Sequence, residues 1–150
     1  MNKSFWKNKK VLITGHTGFK GGWLAFWLKK NKANIYGISL KEKKESFFNY
    51  LNLKKIIDKN IYCNINNFTA LRKNIKKIDP EIVFHLAAQP LVIESFNQPL
   101  ETIKTNILGT SNLLKILQDC KKLRAIVVVT SDKCYEVKKE KNYIEKDKLG

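Results

Sequence analysis

The sequence predicts an α/β fold: one doubly wound parallel sheet covered by helices on both faces. Three observations predict it. Short apolar runs rich in Val and Ile alternate with longer runs whose apolar residues recur at helical spacing. The short runs are near-continuously apolar, as in strands buried on both faces, and do not alternate as half-exposed strands do. A glycine-rich turn, Gly15 to Gly21, joins the first short run to the first long one.

The elements follow in order. Lys10 to Thr14 reads as a buried strand bounded by Gly15. Phe19 to Lys30 is a helix, with Trp23, Phe26, Trp27 and Leu28 expected against the sheet. Asn34 to Leu40 is a second strand, Ser46 to Ile57 a helix, and Ile61 to Ile65 a third strand. Phe68 to Ile78 is a helix with Leu71, Ile75 and Ile78 on one face, and Asp79-Pro80 ends it. Glu81 to Leu86 is a fourth strand, Pro99 to Cys120 one long helix, and Ala125 to Thr130 a fifth strand. Ser131 to Gly150 is charged and irregular. Right-handed crossovers place these strands in the order 3-2-1-4-5, so a ligand would bind beyond the carboxyl ends of the first and fourth strands.

The 150 residues suffice for one domain. With 43% hydrophobic and 28% charged residues, the chain is globular in composition. No apolar run is long enough for a membrane span or signal peptide, so neither a membrane nor secretion is expected, and the chain reads as cytoplasmic. The net charge of +16 raises nucleic acid as a partner. However, the lysines are scattered over solvent-facing positions, with no aromatic-interleaved basic strands or recognition helix; nucleic acid is not expected. Cys63, Cys120 and Cys134 show no pairing pattern and read as buried free thiols. His16 and His85 are the only histidines, and no metal site is expected.

Gly15-His16-Thr17-Gly18-Phe19-Lys20-Gly21 has GxxGxxG spacing between a strand and a helix. Gly15 permits the sharp turn, Gly18 lets a pyrophosphate approach the backbone, and Gly21 lets helix and sheet pack closely. The helix N-terminus adds exposed N–H groups and partial positive charge. This is a dinucleotide-binding turn of Rossmann type. Its spacing is that of the short-chain dehydrogenases. His16 either crowds the pyrophosphate or points to solvent. Where an acid should hold the adenosine ribose, the second strand ends in Ser39-Leu40-Lys41. Ser39 can bond a ribose hydroxyl, while Lys41, Lys43 or Lys44 could reach a 2′-phosphate, so NAD and NADP both stay open here. The expected cofactor-binding set is Gly15, His16, Thr17, Gly18, Phe19, Gly21, Ser39, Asn64, Ile65, Leu86, Ala87, Ala88, Gln89 and Thr130. His85 reads as a core histidine, and Asn106 as a residue that bonds the backbone of a neighbouring strand end.

Several stretches together resemble the nucleotide-sugar branch of the extended short-chain dehydrogenase/reductase superfamily, and within it the CDP-glucose 4,6-dehydratases. They are Phe5-Trp6, Thr14 to Gly21, Trp23-Leu24, Tyr36 to Leu40, His85 to Val92 and Thr130-Ser131-Asp132-Lys133-Cys134-Tyr135-Glu136. The resemblance implies bound NAD, a nucleotide-sugar substrate such as CDP-glucose, and a homodimeric full-length protein. It implies that Ser131 bonds the C4 oxygen and that Asp132 protonates the departing C6 hydroxyl. Lys133 stands where related dehydratases place a Glu base. A lysine of ordinary pKa is only about 0.1% neutral near neutral pH, so Lys133 must be perturbed to act as base or must stabilise the enolate by charge. Relatives also carry a Tyr-x-x-x-Lys pair just beyond the point where this sequence ends, and then a sugar-nucleotide domain. The chain is therefore expected to be an incomplete N-terminal dinucleotide-binding domain, residues 1–150, truncated before the last strands and inactive alone. The competing readings are an epimerase or reductase of the same superfamily, and a non-catalytic dinucleotide-binding fragment.

Overall fold

The computed structural model describes residues 5–131, 134–137 and 142–150. Five parallel strands form one sheet in the order β3-β2-β1-β4-β5: β1 Lys10–Thr14, β2 Asn34–Ser39, β3 Lys59–Tyr62, β4 Ile82–His85 and β5 Ala125–Val128. The expected order is the observed one. The register places Leu12 between Tyr36 and Val83, so β1 is the central strand.

Period-2 geometry sends alternate residues of β1 to opposite faces. Leu12, with Ile38 and Val83, packs under α4 (Phe68–Ile78) and α7 (Thr110–Leu117), against Leu71, Ile75, Leu113 and Leu117. Val11 and Ile13 pack on the other face under α1 (Phe19–Lys30), with Ala25, Leu28, Phe48 and Leu53. Helix α4 keeps its expected face, Leu71, Ile75 and Ile78 all being buried. Asn67 caps it by accepting from the Ala70 N–H at 3.0 Å.

Helix α1 has its expected bounds, and of its expected packing residues Leu28 is buried in the core and Phe26 packs partly against it, but the tryptophans do not. Gly21, Gly22 and Ala25 are buried beside Leu28, because small residues let the helix approach its neighbours closely. Trp23 instead stacks on Phe47 at 4.7 Å between centroids, and Trp27 meets Trp6 edge-on at 5.9 Å.

Elsewhere the elements are shorter or broken. The expected helix from Ser46 to Ile57 is two single turns, α2 (Phe47–Tyr50) and α3 (Leu53–Ile56), because Asn52 adopts the left-handed conformation between them at φ 51°. The third strand begins and ends earlier than expected, leaving Cys63, Asn64 and Ile65 in the loop beyond it. The second, fourth and fifth strands each stop short of their expected ends. The long helix expected from Pro99 to Cys120 is α6 (Pro99–Ile103), a π-helical turn (Lys104–Gly109) and α7. A further helix, α5 (Val92–Asn97), precedes it, in a stretch with no clear apolar period. Of the thiols expected to be buried, Cys63 is buried and Cys134 is exposed. No helix among the described residues is long and apolar enough to cross a membrane.

Candidate dinucleotide and substrate site

At the carboxyl ends of β1 and β4 the chain turns sharply. Gly15 adopts φ +76°, and a Cβ there would lie 2.7 Å from the Ala87 N atom and 2.8 Å from Leu86. Only glycine satisfies both the conformation and the contact. A Cβ on Gly21 would come within 2.3 Å of the Gly15 carbonyl oxygen, so the helix can start this close to the strand only with glycine there.

Gly18 is the N-cap of α1 and supplies no side-chain cap, and no acidic residue stands in the first turn. The first N–H groups of α1 are therefore left for an external acceptor. They open onto a cleft of about 560 Å³. The expected residues Gly15, Thr17, Gly18, Phe19, Gly21, Ser39, Asn64, Ile65, Leu86, Ala87, Ala88 and Thr130 all line it. No carboxylate lines it among the described residues, and Lys20 does. Uncapped N–H groups, an approachable glycine backbone and a lysine fit a pyrophosphate. Ala87 and Ala88 present little side chain to a flat ligand.

Two expected residues fall elsewhere. Gln89 lines an adjoining cleft of about 520 Å³, and the His16 side chain is fully buried. The His16 ring neither faces the first cleft nor reaches solvent, which corrects both expectations for it. Sequence reasoning missed Lys20, Leu40, Cys63, Pro90, Thr105 and Val129 in the first cleft. Lys20 was legible, since it sits inside the turn itself. Thr105 was not, because a π turn sets its direction.

At the far end of the first cleft, Ser39 donates to the Leu40 carbonyl at 2.8 Å, and the Thr17 hydroxyl lies 3.0 Å from Ser39 Oγ. Glu42 is held by the Tyr62 hydroxyl at 2.7 Å. Burial is the largest single influence on its carboxyl and raises the pKa, but the Tyr62 bond, its own backbone N–H and the charges of Lys54 and Lys41 together hold it below the usual carboxylate value.

Both clefts share Ala87, Ala88, Pro90, Val129 and Thr130, and Ser131 lies at the wall of the second. Asp132 and Lys133 lie outside the described residues. Beneath the second cleft runs a polar chain. His85 Nδ1 lies 2.6 Å from Thr14 Oγ1, and Nε2 lies 2.9 Å from Thr110 Oγ1. Thr110 donates its proton to the Asn106 carbonyl at 2.8 Å, so it must accept from His85 Nε2–H. Nδ1 then accepts from Thr14, whose oxygen also receives the Ala87 N–H at 3.3 Å. This arrangement suits neutral His85, and burial lowers its pKa. Asn106 clasps the Gln89 backbone as expected, accepting its N–H at 2.8 Å and donating to its carbonyl at 3.1 Å. The π turn carrying Asn106 is thereby tied to the strand end that forms the wall between the clefts.

A crevice at the reversal of strand order, floored by a glycine turn, defines an α/β protein of Rossmann type. Residues 12–149 match the family model described as GDP-mannose 4,6 dehydratase, and the chain belongs to that family. It is 44% identical over 137 residues to the CDP-glucose 4,6-dehydratase of Salmonella typhimurium, an alignment covering 91% of this chain and 38% of that protein. It is 37% identical over 131 residues to the dTDP-D-glucose 4,6-dehydratase of Dictyostelium discoideum, covering 85% of this chain and 30% of the relative. The chain thus spans about a third of the length of these relatives. Among solved structures, the UDP-glucose-4-epimerase from Stenotrophomonas maltophila, with bound NAD and formylated UDP-arabinopyranose, superposes with a TM-score of 0.77 at 21% identity, over 96% of this chain and 43% of that one. MoeE5 in complex with UDP-glucose and NAD gives 0.73 at 25%, over 93% and 42%.

Proposed function

We propose that residues 1–150 are the dinucleotide-binding part of an NAD-dependent nucleotide-sugar 4,6-dehydratase acting in the cytoplasm on CDP-glucose. The observation that carries this reading is the uncapped start of α1 opening onto a cleft free of carboxylates among the described residues. The adjoining second cleft gives a sugar ring a place beside the cofactor, and the 44% identity to a CDP-glucose 4,6-dehydratase points to the substrate.

NAD, when bound, supplies the two-electron chemistry: hydride leaves sugar C4 and is returned at C6. The chain's own residues do the rest. The α1 N-terminus and Lys20 hold the pyrophosphate. Ser131, at the wall of the second cleft, bonds the C4 oxygen. Asp132 gives a proton to the departing C6 hydroxyl, which leaves as water. Lys133 either removes the C5 proton or stabilises the charge that its loss creates. The chain spans about a third of the length of the dehydratases it matches, so the reaction is assigned to the complete protein. The exposed apolar side of α6 and α7 would then serve a homodimer.

Deuterium wash-out at C5 of CDP-glucose in the complete protein tests the Lys133 role. Loss of exchange in Lys133→Met is expected if it is the base. Full exchange in that variant would remove Lys133 as the C5 base. Absence of a 4-keto product from the complete wild-type protein would defeat the dehydratase reading.

A further inference from the structure

The His16 ring is clamped among three elements. Asn60 Oδ1 on β3 lies 2.5 Å from Nε2. An amide oxygen only accepts, so Nε2 carries the proton and Nδ1 a bare lone pair. Phe48, on α2, meets the ring edge-on, with centroids 5.3 Å apart and planes at 81°. On β2, the ring fills the space above Gly37, where a Cβ would come within 2.4 Å of two ring carbons. Nδ1 is buried with no hydrogen-bond partner. A buried acceptor left unpaired is a cost to the fold, and such groups persist where the surroundings over-determine the geometry.

We infer that His16 is a positioning residue for the dinucleotide turn. Its bond to Asn60 ties the turn to β3 and so sets where Thr17 and Gly18 present their backbone to the cleft. The inference rests on the dinucleotide reading above. Among the described residues four contacts tether the turn. The Gly15 N–H bonds the Ile38 carbonyl at 2.8 Å, the Thr17 hydroxyl lies 3.0 Å from Ser39 Oγ and 3.2 Å from the Leu40 carbonyl, and His16 reaches Asn60. The first three lead to β2 and the residue just after it, and of these four the His16 tether alone crosses to the edge strand. Gly15 and Gly18 flank His16 and Thr17, so the two side chains supply the stiffness that the glycines lack. Cofactor affinity is therefore coupled to the seating of β3. Gly37 is required on β2 because the anchor occupies its side-chain space.

The test compares Asn60→Val with wild type. Valine suits a strand and removes the Asn60 carboxamide that meets the His16 ring, together with its contact to Tyr62. Amide hydrogen exchange at Gly15 and Gly18 should accelerate about tenfold or more, while core amides such as Leu71 keep their protection. The dissociation constant for NAD should rise about tenfold, and adding His16→Phe should weaken binding no further, because both changes remove one interaction. Exchange at Gly15 and Gly18 within about twofold of wild type in folded Asn60→Val would overturn the inference. Should His16→Phe fail to fold against Gly37, Asn60→Val alone decides. Accelerated exchange in a protein whose wild type binds no NAD would uphold the anchor and overturn the dinucleotide reading.

Discussion

The two sides of the sheet are finished to different degrees. On the side of β2 and β3, the strand β2 is buried along most of its length, and Phe48 and Leu53 from the short helices are fully covered. On the side of β5, three of the four strand residues are exposed, and α5 and α6 bury no residue at all. Leu100 is 69%, Ile107 58% and Val127 44% exposed. The Ser39 end of the first cleft is thus backed by the buried strand β2, although the edge strand β3 itself has no buried residue, while the second cleft is walled by elements whose apolar sides are open.

The largest expected effect that would break this contrast is at Gly21. Gly21→Val should leave little folded protein, because its Cβ would lie 2.3 Å from a backbone oxygen that cannot move aside. A folded variant with normal far-UV dichroism would show that α1 does not sit this close to β1. Next is Leu71→Ala on the closed side, which should cost about 2–5 kcal/mol in denaturant unfolding. Ile107→Ala on the open side should change stability by less than about 0.5 kcal/mol in the monomer. Equal losses at the two positions would erase the distinction.

The pH dependence sharpens it further. Burial lowers the pKa of His16 from the ordinary value of 6.5, against weaker opposing pulls from Asn60, the Ile38 carbonyl and Glu42. Burial lowers that of His85 as well. A group whose folded pKa is depressed stabilises the fold fully above its unfolded pKa. That contribution is lost as the unfolded chain takes up the proton first. The melting temperature should therefore be level above about pH 7.5 and fall as the pH drops below about 6.5, more steeply in wild type than in His85→Gln. A flat profile down to pH 5 would contradict neutral buried histidines. The smallest expected effect is at the part-exposed Lys9–Glu81 pair, 2.9 Å apart, where Glu81→Gln should cost no more than about 1 kcal/mol.

Much of this was legible from residue pattern. Near-continuous apolar runs gave away the buried parallel strands, and the glycine spacing located the turn and most of the first cleft. What escaped depended on neighbours distant in sequence. The tryptophans of α1 looked like part of its packing face, but the close approach set by Gly21 leaves that face to Gly21, Gly22, Ala25 and Leu28. Asn52 broke an amphipathic stretch through a left-handed conformation that its residue type tolerates but does not require. The π turn at Lys104–Gly109 leaves no mark in apolar periodicity, and it directs Thr105 toward one cleft and Asn106 toward the other. His16 was misread because its pocket is made by Gly37, Phe48 and Asn60, and no local signal joins these to the turn.

The proposed pyrophosphate site is the uncapped N-terminus of α1 at Gly18. Calorimetric titration of NAD into the protein, wild type against Gly18→Asp, tests it most directly. An aspartate there would cap the free N–H groups itself and set a negative charge at the entrance. Saturable binding by wild type is expected, with a loss of about a hundredfold or more in the variant and the melting temperature kept or raised. Equal affinity in the two proteins would place the ligand elsewhere and contradict the proposed site.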